Sequence, residues 1–123
     1  MRLLLDTHAL IWCDEGIELR PKTIDLIKDA ELVYVSAVTG CEIAIKTSMG
    51  RLRARRSVTE VCRASGFVEL PVHFRHAALV ATLPWHHRDP FDRFLVAQAI
   101  HEKLTLVSRD RIFERYDVPL ILV

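Results

Sequence analysis

The stretch Met1–Trp12, MRLLLDTHALIW, decides the fold. Leu3–Leu5 is an apolar run without polar alternation, the pattern of a strand covered on both faces. Asp6 closes the run, and the segment through His8–Asp14 reads as a helix. A covered strand, an acid and a helix are how an α/β domain with a mainly parallel sheet begins. The same stretch meets a charge before any signal-peptide core forms, and no apolar run reaches about 18 residues, so neither a leader nor a membrane span is expected.

Moving outward, short apolar runs keep alternating with helical patterns. Pro21, at a favourable first helical position, opens a helix through Ile24, Ile27 and Lys28. Leu32–Val35 (LVYV) is a strand, and Ser36 caps a helix running through Glu42, Ile45 and Lys46 towards Gly50. Ser57-Val58-Thr59-Glu60 is a capping box for a helix that ends at Gly66. Phe67–Leu70 fits a short strand and Phe74–Leu83 a helix stopped by Pro84. Asp89-Pro90-Phe91-Asp92 is the clearest helix start: a cap, a first-turn proline and an acid where the macrodipole favours one. That helix continues through Leu95, Val96, Ala99 and Ile100, and Leu104–Val107 and Leu120–Val123 are the last strands. The expected architecture is a single domain over residues 1–123, a three-layer α/β/α sandwich.

Composition agrees with one globular domain. The chain has 123 residues, 50% hydrophobic and 27% charged, enough to bury about two-thirds of its unfolded surface without staples. Seventeen Lys and Arg against sixteen Asp and Glu leave a net charge of +1, so attraction to a polyanion must come from local patches. Cys13, Cys41 and Cys62 are odd in number and form no C-x-x-C pair, which reads as buried free thiols in a reducing, cytoplasmic setting.

Placed on these elements, four acids converge. In an open parallel sheet the functional crevice lies outside the carboxyl ends of the strands. Asp6 ends the first strand, Asp110 follows the strand ending at Val107, and Glu42 lies early in the helix leaving Leu32–Val35. Asp92 belongs to the first turn of the helix that feeds the Leu104 strand. Carboxylates crowded together repel, and a divalent cation removes the conflict. Hard oxygen ligands select Mg²⁺ or Mn²⁺, which polarise a phosphoryl oxygen and activate water for phosphodiester hydrolysis. Singly, each acid also has an ordinary explanation. Asp6 forms a turn, Glu42 pairs with Lys46 four residues on, Asp92 favours a helix start, and Asp110 decorates a loop.

Four segments in order, LLLDTHALIW (Leu3–Trp12), SAVTGCEIAIKTSMGRL (Ser36–Leu52), HRDPFDRFLVAQA (His87–Ala99) and LTLVSRD (Leu104–Asp110), resemble the PIN-domain ribonucleases, specifically the VapC-like toxins of toxin–antitoxin pairs. The resemblance covers nearly the whole chain. It implies that Asp6, Glu42 and Asp92 are the three principal acids and Asp110 the fourth, with Thr7 and Ser108 as supporting hydroxyls. It further implies RNA cleavage with Mg²⁺ or Mn²⁺, a homodimer and an inhibitory antitoxin partner. One departure stands out: Cys41 occupies the position before Glu42 where this branch commonly has Trp, preceded by Gly40, which costs a helix about 1 kcal/mol relative to Ala.

Several residues are set aside. Adjacent His86 and His87 rarely point the same way and are read as an exposed loop near substrate; His8 is read as a packed helix-start residue and Asp89 as a cap. The run GRLRARR (Gly50–Arg56) places Arg51, Arg53, Arg55 and Arg56 where they guide an RNA strand, contact an antitoxin or form a solvated face. Rival activities fit less well. A haloacid-dehalogenase-like phosphatase wants a second Asp where His8 stands, and a receiver domain wants paired acids where Leu5-Asp6 offers one. A dead binding module would tolerate loss of an acid, and none is lost. RNA processing outside a toxin–antitoxin pair is the rival within the family.

Overall fold

The computed structural model describes residues 1–16 and 19–123. The strands are β1 (Arg2–Leu5), β2 (Leu32–Ser36), β3 (Val68–Leu70), β4 (Thr105–Ser108) and β5 (Leu120–Leu122). They form one parallel sheet in the order β3-β2-β1-β4-β5. Among the described residues the α-helices are α1 (Thr7–Glu15), α2 (Pro21–Asp29), α3 (Ala37–Ser48), α4 (Val58–Ser65), α5 (Phe74–Val80) and α6 (Pro90–Glu102), with a 3-10 turn at Arg111–Arg115. None of them is long and apolar enough to cross a membrane.

Strand alternation sorts the core into two layers. Leu3, Leu5, Val33, Val35 and Val107 face a cluster with Ala9, Leu10, Ile27, Ile43 and Val61, the buried sides of α1–α4. Leu4 and Leu106 face the other way, onto Leu95, Val96, Ala99, Phe113 and Tyr116 of α6 and the 3-10 turn. The three leucines of β1 are fully buried because the central strand is sandwiched on both sides, and the α/β/α architecture expected from Leu3–Leu5 is the one observed. With β2 and β3 on one side of β1 and β4 and β5 on the other, the chain reverses direction across the sheet between β1 and β4, which opens the crevice at the carboxyl ends of those two strands.

The predicted caps hold, with one difference in helix length. Ser36, Ser57 and Asp89 accept from backbone N–H groups of Val38, Glu60 and Phe91, and Gly66 takes the left-handed conformation that ends α4. Helix α5 stops at Val80 instead of Leu83, because the buried Arg93 of α6 draws off the carbonyls of Val80, Leu83 and Pro84 with its guanidinium. Helix α3 stops at Ser48, and Gly50 follows with φ +71°. The cysteines are free, yet the buried thiols expected from the sequence are not found. Cys41 is exposed on α3, and Cys13 and Cys62 are half-buried at the edges of the core.

Candidate active site

The register of the central strands builds the floor of the site. Leu5 pairs with Val35 on one side and Val107 on the other, so Asp6 comes next, between Ser36 and Ser108. The Asp6 N–H bonds to the Val107 carbonyl at 3.1 Å, and its carboxylate accepts the Ala9 N–H at 2.8 Å as the cap of α1. Burial pushes the Asp6 carboxyl above its ordinary range, and hydrogen bonds from Ser108 and Ala9 oppose that rise. Ser36 donates to Gln98, which also holds the Pro71 carbonyl and so seats α6 against the strand ends.

Glu42 enters from the second turn of α3 and is buried. Its Oε1 accepts the Thr7 hydroxyl at 2.6 Å, and its Oε2 pairs with Lys46 one turn on. That bond to Glu42 raises the Lys46 pKa, with further attraction from Asp89 and Asp92. Asp92 lies in the first turn of α6. Burial is the main reason its carboxyl is pushed up to about 8, and repulsion from Asp89, Asp6, Glu42 and Asp110 adds to it. Asp110 caps the 3-10 turn through Oδ1, bonded to Ile112 N–H at 3.0 Å, and its side chain is half-exposed.

The structure thus brings Asp6, Glu42 and Asp110 within electrostatic reach of Asp92, with Thr7 bonded to Glu42 and Ser108 to Asp6. It also brings in two residues set aside from the sequence. Asp89 is the cap expected of it, but its charge acts on Asp92 as well. His87 is no exposed loop residue: its Nε2 is shielded from solvent, 2.9 Å from Asp92 Oδ2 and 3.5 Å from Asp110 Oδ2. His87, Asp92 and Asp110 are the group among the described residues whose ligating atoms all lie within 4.8 Å of one another. The signal available in the sequence was position, since His87 stands two residues before the cap of the helix that carries Asp92. His86 instead packs edge-on to Tyr116, so the adjacent histidines do point apart. His8, expected to be packed, is exposed and stacks on Trp12.

The arginines are not brought to this cluster. Arg55 and Arg56 pair with Asp14, eight residues along α1 from Asp6, or about 12 Å at helical rise. Arg51 and Arg53 are exposed in the segment after α3, at the opposite ends of α1 and α3 from the acids.

The sequence matches the PIN domain family over residues 3–119. The chain belongs to the PIN domain family. No curated protein matches it, but solved structures share its fold. VapBC from Salmonella typhimurium, solved bound to DNA, superposes with a TM-score of 0.75 at 17% identity, covering 98% of this chain and 97% of that one. VapBC2 from Rickettsia felis, bound to a promoter DNA fragment, gives 0.69 at 15% identity, covering 100% and 99%. A toxin–antitoxin complex from Klebsiella pneumoniae gives 0.65 at 18%, covering 97% and 95%. The PIN fold is therefore present over essentially the full length of these neighbours.

The donor set of this PIN domain suits a hard divalent cation. The charges of Asp6, Glu42, Asp89 and Asp110 all act on Asp92, whose carboxyl is pushed up to about 8 mainly by burial, and the shielded His87 Nε2 has no hydrogen-bond partner. Such crowding is relieved by a dication with a preference for oxygen ligands.

Proposed function

We propose that this PIN domain is a Mg²⁺- or Mn²⁺-dependent ribonuclease, the toxin of a toxin–antitoxin pair, working as a homodimer and restrained by a cognate antitoxin. The observation that carries the nuclease reading is the buried Asp92 carboxyl, pushed up to about 8 first by burial and then by the charges of Asp89, Asp6, Glu42 and Asp110, a load that a bound cation would offset. Family membership supports phosphodiester hydrolysis. The fold shared with VapBC and toxin–antitoxin complexes supports an antitoxin partner.

In this reading Asp6, Glu42, Asp92 and Asp110 hold the ion. When bound, it supplies Lewis acidity at the scissile phosphate and makes water a competent nucleophile near neutral pH. The chain's own contribution is orientation. Thr7 donates to Glu42 Oε1 while Lys46 pairs with Oε2, and Ala9 and Ser108 bond Asp6, so both buried carboxylates are held in fixed orientations. Lys46 offsets part of the anionic charge that an RNA strand would otherwise meet.

Purified protein incubated with RNA tests the mechanism. Excess EDTA is expected to stop cleavage and Mg²⁺ or Mn²⁺ to restore it, with Ca²⁺ a poor substitute because it accepts looser geometry. Undiminished cleavage in excess chelator would rule the metal mechanism out. Co-purification with the product of a neighbouring small gene, with loss of cleavage, tests the antitoxin, and sedimentation of the isolated chain tests the dimer.

A further inference from the structure

The hydrogen bonds around His87 decide which of its nitrogens carries the proton. Nδ1 accepts the backbone N–H of Asp89 at 3.2 Å, so it presents a lone pair, and the neutral ring holds its proton on Nε2. That Nε2–H is shielded and stands between Asp92 Oδ2 and Asp110 Oδ2, in line with neither. The ring has little freedom to turn away. Its own backbone N–H is held by the Tyr116 hydroxyl at 2.9 Å, the Tyr116 hydroxyl is anchored on the Pro84 carbonyl, and the imidazole lies against Phe113 with centroids 5.7 Å apart.

Building on the metal site proposed above, we infer that His87 is a positioning residue whose Nε2 edge, set against Asp92 Oδ2 and Asp110 Oδ2, bridges the two carboxylates that would hold the ion. Asp110 has the greater need of it. It sits beyond β4 with 52% of its side chain exposed, Oδ1 is committed to Ile112, and Oδ2 lies 3.5 Å from His87 Nε2. A ligand role for the ring is the competing possibility, since three potential ligand atoms lie within 4.8 Å. Ligation through Nε2 would require the proton on Nδ1, which would then face the Asp89 N–H donor to donor. A donor that orients metal-bound carboxylates is worth about 10- to 100-fold in metal affinity.

The tautomer is read directly from long-range ¹H–¹⁵N spectra of the labelled wild-type protein, with and without Mg²⁺. The expected result is a protonated Nε2 and a bare Nδ1 in both states; loss of the Nε2 proton on adding Mg²⁺ would make the ring a ligand and overturn the bridge. Calorimetric Mg²⁺ titration of two variants gives an independent reading. His87→Leu keeps bulk against Phe113 without a donor and should weaken Mg²⁺ binding about 10- to 100-fold, whereas His87→Gln keeps an N–H at similar reach and should lose only a few-fold. Equal losses in both, or wild-type affinity in His87→Leu, would overturn the bridge while leaving the metal site standing. Absence of Mg²⁺ binding by the wild type would sink the metal site and the bridge with it.

Discussion

Asp92 is where burial and charge meet most sharply. Its carboxyl rises from the ordinary 3.8 to about 8, so the folded state binds that proton more tightly than the unfolded chain does. The stability this supplies is complete below about 3.8 and is lost as pH climbs towards 8. Thermal unfolding in EDTA should therefore show wild type weakening between pH 5 and 8 by an amount of the order of a few kcal/mol, and Asp92→Asn should flatten that slope. Identical pH profiles for the two proteins would mean that Asp92 is not held protonated. In cleavage assays Asp6→Asn, Glu42→Gln and Asp92→Asn should each fall to background with far-ultraviolet dichroism unchanged. Asp110→Asn should be milder, since its carboxylate is half in solvent.

At the level of elements, α6 organises the site. Its Arg93 collects three carbonyls at the end of α5, stacks 3.8 Å over Trp85 and meets the Tyr116 hydroxyl. It thereby fixes the 80–87 segment that delivers His87. Arg93→Ala removes the guanidinium from all three carbonyls, of which Val80 keeps the Leu83 N–H and Pro84 the Tyr116 hydroxyl, and should cost about 1–3 kcal/mol in urea unfolding. A loss below 0.5 kcal/mol, roughly the scatter of neutral surface substitutions, would show that water replaces the guanidinium readily. Helix α3 carries a different weakness. Gly40 sits mid-helix with open space where a Cβ would lie and without a positive φ, so the glycine costs entropy without serving close packing. Gly40→Ala should stabilise the protein by about 0.5–1 kcal/mol, read as a higher urea midpoint at unchanged m.

Across the whole molecule, the sheet order puts the acids at one end of the helical layers and the arginine run at the other. Arg55 and Arg56 are held by Asp14, which leaves exposed Arg51 and Arg53 as the members of the run able to meet a polyanion. If an RNA strand extends that far, replacing both with Ala should weaken binding to all sequences alike. The salt slope should also flatten, by about one unit for each phosphate that is no longer neutralised. Cleavage of a short oligonucleotide confined to the acid crevice should stay unchanged. Wild-type affinity and slope in the double variant, measured without antitoxin, would make the run a solvated face or an antitoxin contact.

The sequence alone determined the layers and most of the proposed ligand set. Leu3–Leu5 can be satisfied only by cover on both faces, Asp89-Pro90 can only start a helix, and Asp6 must then lie at a strand end; each follows from rules that act within a few residues. Asp6, Glu42 and Asp110 were placed near the crevice by the same local logic, and Asp92 by its place in the first turn of the helix that feeds the Leu104 strand. Only the tertiary structure could decide the rest. That Asp92 feels the charge of Asp6 depends on α6 crossing from β3 at one edge to β4 beyond the centre, a long-range path that no periodicity encodes. That His87 belongs to the site depends on the Arg93 and Tyr116 hydrogen bonds that fold its loop inward, and that the arginines lie elsewhere depends on Asp14 holding two of them. Local propensity sets which element a residue joins; packing between distant elements sets what its side chain meets.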